Sequence, residues 1–137
     1  MISADGSELL HSTYWGSGEQ WDGVTSIASG SDGRIYLAGT TASEVFPVTD
    51  DALDGELGGS ADAFIVVMDT DRYTTEYATY LGGTGEERQV TLVLDDAGRL
   101  IVAGATDSPD FPTPADGPAA GGSEAPAGWD LFVCSFR

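Results

Sequence analysis

One segment of this chain occurs twice, and that repetition limits the fold more than any other feature. Ser12-Thr13-Tyr14-Trp15-Gly16 returns as Ala78-Thr79-Tyr80-Leu81-Gly82. Gly33-Arg34-Ile35-Tyr36-Leu37-Ala38-Gly39 returns as Gly98-Arg99-Leu100-Ile101-Val102-Ala103-Gly104. Phe46-Pro47 returns as Phe111-Pro112, and Asp62-Ala63-Phe64-Ile65 returns as Asp130-Leu131-Phe132-Val133. A repeat of this length is a supersecondary unit that cannot bury its own apolar face, so stacked neighbours must supply the core.

Each copy carries four short segments of β character. In the first copy they span 9–15, 24–29, 34–40 and 63–69; in the second, 76–82, 90–94, 99–105 and 131–136. Ile35 and Leu37 alternate with Arg34 and Tyr36, the period of a strand with one covered face. Residues 64–68 are apolar in both parities, as expected of a strand covered on both faces. Asp32-Gly33 and Ala97-Gly98 fall between paired strands, where glycine supplies the positive φ of a tight turn. The segments 41–61 and 106–129 are long and rich in Gly, Pro, Asp and Ala, and connections of that length commonly carry function or mobility. No helical period extends over a useful length. The expectation is an all-β chain of two four-stranded antiparallel sheets, with a lead-in at 1–8 and repeats at 9–71 and 72–137.

Charge narrows the partners. The formal net charge is −18, with Arg34, Arg72, Arg88, Arg99 and Arg137 as the only basic side chains besides His11. Such a surface repels nucleic-acid phosphate and anionic lipid, so neither is an expected partner. The acidity has three readings: a solvated surface of biased composition, adaptation to high salt that screens self-repulsion, or cation binding in the loops. Hydrophobic residues make up 41% of the chain, enough for a packed core, and no apolar run reaches membrane-spanning length. Met1–Gly6 is polar and lacks the basic and apolar regions of a secretory signal. The single cysteine, Cys134, permits no internal disulfide and reads as a small strand hydrophobe.

Candidate chemistry is sparse. His11 is the only histidine, which excludes multi-histidine metal sites, and no nucleophile–base pair assembles, so the chain is not expected to be an enzyme. The loop Asp50-Asp51-Ala52-Leu53-Asp54-Gly55-Glu56 offers Asp50, Asp51, Asp54 and Glu56 as candidate Ca²⁺ ligands. Clustered carboxylates around a glycine turn can gather a hard cation, but the spacing is not that of a calcium loop, and a solvated acidic loop is the competing reading. The second copy offers Asp107, Asp110 and Asp116 at wider spacing. Asp62 and Asp130 recur before an apolar strand, and Glu19 and Glu86 recur after a glycine, which argues for turn structure. Trp21 and Trp129 lie in loops without counterparts and are the candidate glycan-stacking pair, with simple loop packing as the alternative. Trp15 aligns with Leu81 and reads as core.

The ordered set of motifs resembles the SBBP repeat: Tyr80-Leu81-Gly82-Gly83, the Gly98–Gly104 hairpin strand, Phe111-Pro112 and Asp130-Leu131-Phe132-Val133. Trp15-Gly16-Ser17 departs from the usual Leu-Gly-Gly, and Val45 stands where Asp110 stands in the second copy. The resemblance implies β-propeller blades in a surface or secreted protein and carries no catalytic residues. It implies a structural or assembly module, or alternatively a lectin-like or Ca²⁺-dependent adhesive one. No other cofactor is expected. Strand order implies that 76–82 completes the first blade and leaves the second without an outer strand. Residues 9–15 are then free to pair with 131–136 of another copy, whose Phe132, Cys134 and Phe136 form an apolar assembly edge. A homo-oligomer by strand exchange is expected, with three or four copies giving six or eight blades; the rival reading is an excerpt of a longer chain whose other blades complete the ring.

Overall fold

The computed structural model describes residues 1–113 and 128–136. Among these residues seven strands form: β1 (Asp22–Ser29), β2 (Arg34–Thr41), β3 (Asp62–Asp69), β4 (Thr74–Leu81), β5 (Glu87–Leu94), β6 (Leu100–Thr106) and β7 (Asp130–Phe136). They build two antiparallel sheets, one of four strands in the order β1-β2-β3-β4 and one of three in the order β5-β6-β7. Among the described residues there is no helix. The fold is therefore all-β, as the alternating pattern implies.

The sheets are copies of each other in register. Leu37 lies opposite Ile27 and Val66 in the first sheet; Val102 lies opposite Leu92 and Cys134 in the second. Both first strands carry a bulge near their start, between Val24 and Ser26 and between Arg88 and Thr91. The β1–β2 and β5–β6 turns match as well. The Gly30 N–H donates to the Arg34 carbonyl and the Asp95 N–H to the Arg99 carbonyl. Gly33 and Gly98 sit at φ 78° and 76°, a conformation any side chain would strain.

One difference from the sequence expectation stands out. The strand expected at 9–15 does not form, so the described strands number four and three instead of four and four. Its nearest approach to pairing is an isolated bridge between Ile2 and Leu9. A strand needs an edge to bond to, and β4 already occupies the outer edge of the first sheet. As the strand order implies, the sequence repeat is offset from the sheets by one strand: β4, which opens the second repeat, closes the first sheet. Asp116 and most of the segment 106–129 lie outside the described residues.

The sheets pack face to face. Ala38, Ala63, Ile65 and Leu81 of the first meet Val90, Leu92, Leu100, Val102 and Phe132 of the second in one buried cluster. On the far side of the first sheet, Phe46, Phe64, Val66, Met68, Ala78 and Tyr80 form a second cluster, covered in part by Trp15 and the 44–57 loop. Residues 64–68 thus face a core on both sides, which is why both parities are apolar.

Candidate functional site

An acid-centred polar cluster stands at the start of β1 and again at the start of β5, the second of them where the two sheets meet. Asp22 and Glu87 open these strands and lie directly opposite Thr41 and Thr106. The Thr41 hydroxyl donates to Asp22 Oδ1 at 2.6 Å. Correspondingly, the hydroxyls of Thr106 and Ser108 donate to Glu87 Oε1. Thr41 and Thr106 also accept the N–H groups of Ser43 and Ser108, each at 3.0 Å. Each unit repeats one device: an acid at the strand entry holds the end of the neighbouring strand through a threonine hydroxyl.

Asp62, at the start of β3, is fully buried beside this seam. Its Oδ2 accepts the Gly58 N–H at 2.9 Å and its Oδ1 the Gly59 N–H at 3.3 Å. Gly82, just after β4, lies against both acids. A Cβ built there would stand 2.3 Å from Glu87 Oε2 and 2.6 Å from Asp62 Cγ, so no side chain fits. Two carboxyl groups thus converge on one point of the backbone. Burial pushes the Asp62 carboxyl up to about 6; the glycine N–H groups oppose that and neighbouring Glu87 adds to it. Burial raises Glu87 as well, against the hydroxyls of Thr106 and Ser108 and the nearby Gly83 N–H. Glu87 Oε2 nonetheless meets no partner at hydrogen-bond geometry among the described residues. Such a pair favours holding a proton, which lets a neutral carboxyl sit in the seam at lower desolvation cost.

The outer strand is locked by Tyr80. Its ring is buried, its hydroxyl donates to the Ser43 carbonyl at 2.6 Å, and its oxygen accepts the Phe46 N–H at 3.0 Å. This ties β4 to the Phe46-Pro47 turn across the sheet. In the second sheet the equivalent groups, the Ser108 carbonyl and the Phe111 N–H, have no partner among the described residues. A cavity of about 320 Å³ opens beside them, lined in part by Asp110, Pro112, Leu81, Gly82 and Gly83.

The sequence-derived candidates are distributed as follows. Asp50, Asp51 and Glu56 are exposed, while Asp54 is half-buried and turns its Oδ1 to the Glu56 N–H. Among the described residues no three His, Cys, Asp or Glu side chains gather as a metal group. Trp21 and Trp129 are both exposed. The Arg88 guanidinium covers one face of the Trp129 ring at 4.7 Å, and the Trp21 ring lies against Gly23. Trp15 is a packing residue: it meets Phe46 edge-on at 4.7 Å between centroids, and its indole N–H donates to the Thr75 hydroxyl at 3.0 Å. His11 stacks on Tyr73 at 3.8 Å. Of the three residues expected to form an assembly edge, Phe132 is buried in the intersheet core, and Cys134 and Phe136 pack half-buried against it. Asp130, the counterpart of Asp62, is exposed.

Glu87, Asp22, Tyr80 and Gly82 escaped the sequence reading as site residues. Their signal was present: Asp22 and Glu87 stand at the same offset as Gly33 and Gly98, whereas the pair singled out, Glu19 and Glu86, does not. Compared with known proteins, the chain matches no family model, no curated protein and no solved structure.

Proposed function

We propose that this chain is a non-catalytic structural module of two propeller-type blades, of the SBBP-repeat kind, from a surface or secreted protein, and that it works by assembling into larger arrays. The observation that carries this reading is the place of Trp15. It stands in the repeat where Leu81 stands, and it packs on the Phe64 cluster as Leu81 packs in the Phe132 cluster. The segment 12–17 therefore approaches the first sheet as the end of β4 approaches the second. The Ser17 N–H even donates to Asp22 Oδ2, in the position that Gly83 holds beside Glu87. Residues 12–17 lie where the end of a preceding blade would lie. Stacking of repeats beyond two is the natural continuation, because each repeat buries its face only against neighbours.

Multi-angle light scattering on the intact chain over a dilution series tests this reading. The expected result is a discrete species at a whole multiple of 14.2 kDa, with three or four copies as the leading sizes. A monomer at every concentration would contradict it.

A further inference from the structure

We propose that Asp62 and Glu87 share one proton across the seam between the two sheets, and that the resulting carboxyl–carboxylate hydrogen bond is a latch closed by acid. The latch lies inside one chain and works alike in a single copy and in an assembly.

Asp62 opens β3 of the first sheet and Glu87 opens β5 of the second, and both are 0% exposed. The backbones beside them are already joined. The Glu87 N–H donates to the Ala61 carbonyl at 2.8 Å, and the Ser60 N–H to the Gly85 carbonyl at 3.0 Å. Glu87 Oε2 and Asp62 Oδ1 lie 2.3 and 2.8 Å from the one point above Gly82 where a Cβ would stand. Each is the less engaged oxygen of its carboxyl. Glu87 Oε1 takes the Thr106 and Ser108 hydroxyls, while Oε2 has no hydrogen-bond partner among the described residues. Asp62 Oδ2 takes the Gly58 N–H at 2.9 Å, while Oδ1 takes the more distant Gly59 N–H at 3.3 Å. Two ionised carboxylates held this close and away from water repel each other. One proton between them replaces that repulsion with a charge-assisted O–H···O⁻ bond.

The charges that face the pair favour the proton. Asp54 acts on Asp62 from the loop before β3, and Asp107 acts on Glu87 from the end of β6; both oppose ionisation. From β4 the Tyr80 phenol faces Asp62, and Asp22 of β1 adds its charge there. Thr41 of β2, opposite Asp62 in the ladder, gives its hydroxyl to Asp22. Arg88, next to Glu87 in sequence, is engaged by the Glu86 carboxylate. The folded chain therefore binds this proton more tightly than the unfolded one. The latch is closed below about pH 4 and opens as pH rises through about 6. The corresponding acid of the first sheet, Asp22, is met by donors instead: the Thr41 hydroxyl and the Ser17 N–H.

Carbon-detected NMR of the intact, labelled chain between about pH 3 and 8 reads both carboxyls directly. The expected result is a common midpoint near 6 for Asp62 and Glu87, because a shared proton belongs to the pair. In Glu87→Gln an amide N–H takes the proton's place, and Asp62 should bind a proton at least about tenfold more weakly. Hydrogen exchange reads the latch itself. At about pH 7.5 the backbone amides of positions 60 and 87 should exchange at least about tenfold more slowly in Glu87→Gln than in wild type. The Leu92 amide, which donates to the Ser26 hydroxyl farther along β5, is the internal reference. Asp62→Asn supplies the same donor from the other side and repeats the test if the Gln variant fails to fold. Separate midpoints for the two carboxyls would overturn the shared proton. Seam amides that exchange as fast in the amide variants as in wild type would overturn the latch.

Discussion

The two sheets have the same hairpin, the same bulge and the same acid–threonine clasp, but among the described residues one has four strands and the other three. The first has β4, and with it a buried Tyr80 that bonds both the Ser43 carbonyl and the Phe46 N–H. The second has the matching groups and, among the described residues, three strands. A second contrast follows from position. Asp62 of the first sheet is sealed beneath the second sheet and the Gly58-Gly59 turn, while Asp130 remains in solvent. One sequence unit thus gives a buried or an exposed version of the same residue, depending on whether a neighbour follows it. Burial in this chain belongs to the stack rather than to the repeat, which is the expected behaviour of a quasi-one-dimensional protein.

The sharpest way to break that comparison is to treat equivalent residues alike. Tyr80→Ala removes a buried ring and two hydrogen bonds, and urea unfolding should show a loss of about 3–5 kcal/mol. Tyr14→Ala, measured at concentrations low enough to keep chains apart, should cost no more than about 0.5 kcal/mol. Equal losses would mean that Tyr14 is already buried by its own chain.

Next in size is Gly82. Its substitution by Ala drives a methyl group into the Asp62 and Glu87 carboxyls and should destabilise by about 1–3 kcal/mol in the same measurement. Loss below that range would mean that the two carboxyls do not meet over this glycine.

The smallest expected effect is one of pH. Asp62 binds its proton more tightly folded than unfolded, where a carboxyl near 3.8 is expected. Its protonated form therefore supports the fold fully below about pH 4, and that support is lost as pH rises through about 6. Surface carboxyls such as half-buried Asp95 and exposed Asp110, held low by backbone N–H donors, act oppositely and lose their contribution as pH falls. The difference between wild type and variant isolates the buried group. Asp62→Asn should flatten the fall in stability between about pH 4 and 6. Melting curves across that range decide it.

Much of the fold was legible because strands, turns and repeat share one set of residues. Gly33 and Gly98 fix the hairpins, and the double apolar parity of 64–68 announces a strand between two cores. The segment 9–15 was misread for the same reason that made the rest readable. Ser12–Gly16 has strand composition, but a strand exists only where an edge is free, and local pattern carries no information about edges. The site was harder. Asp62 was visible as a recurring acid, yet nothing in Asp130 or Asp62 themselves says which one is sealed. Glu87 hid behind Glu86, since two adjacent acids look alike until register sets one inward. Gly82 read as part of a motif, and its use as the meeting point of two carboxyls depends on a contact between sheets.

The central claim is the proposal that this chain assembles through the β7 edge of its second sheet, and supplying a strand to that edge within one chain tests it most directly. A chain carrying a further copy of residues 9–17 after position 137, joined by a short flexible linker, can occupy its own β7 edge. The account expects this capped chain to remain monomeric by light scattering under conditions where the natural chain assembles, and to melt at a higher temperature than the uncapped chain at low concentration. A capped chain that assembles as the natural one does, with no gain in melting temperature, would contradict it.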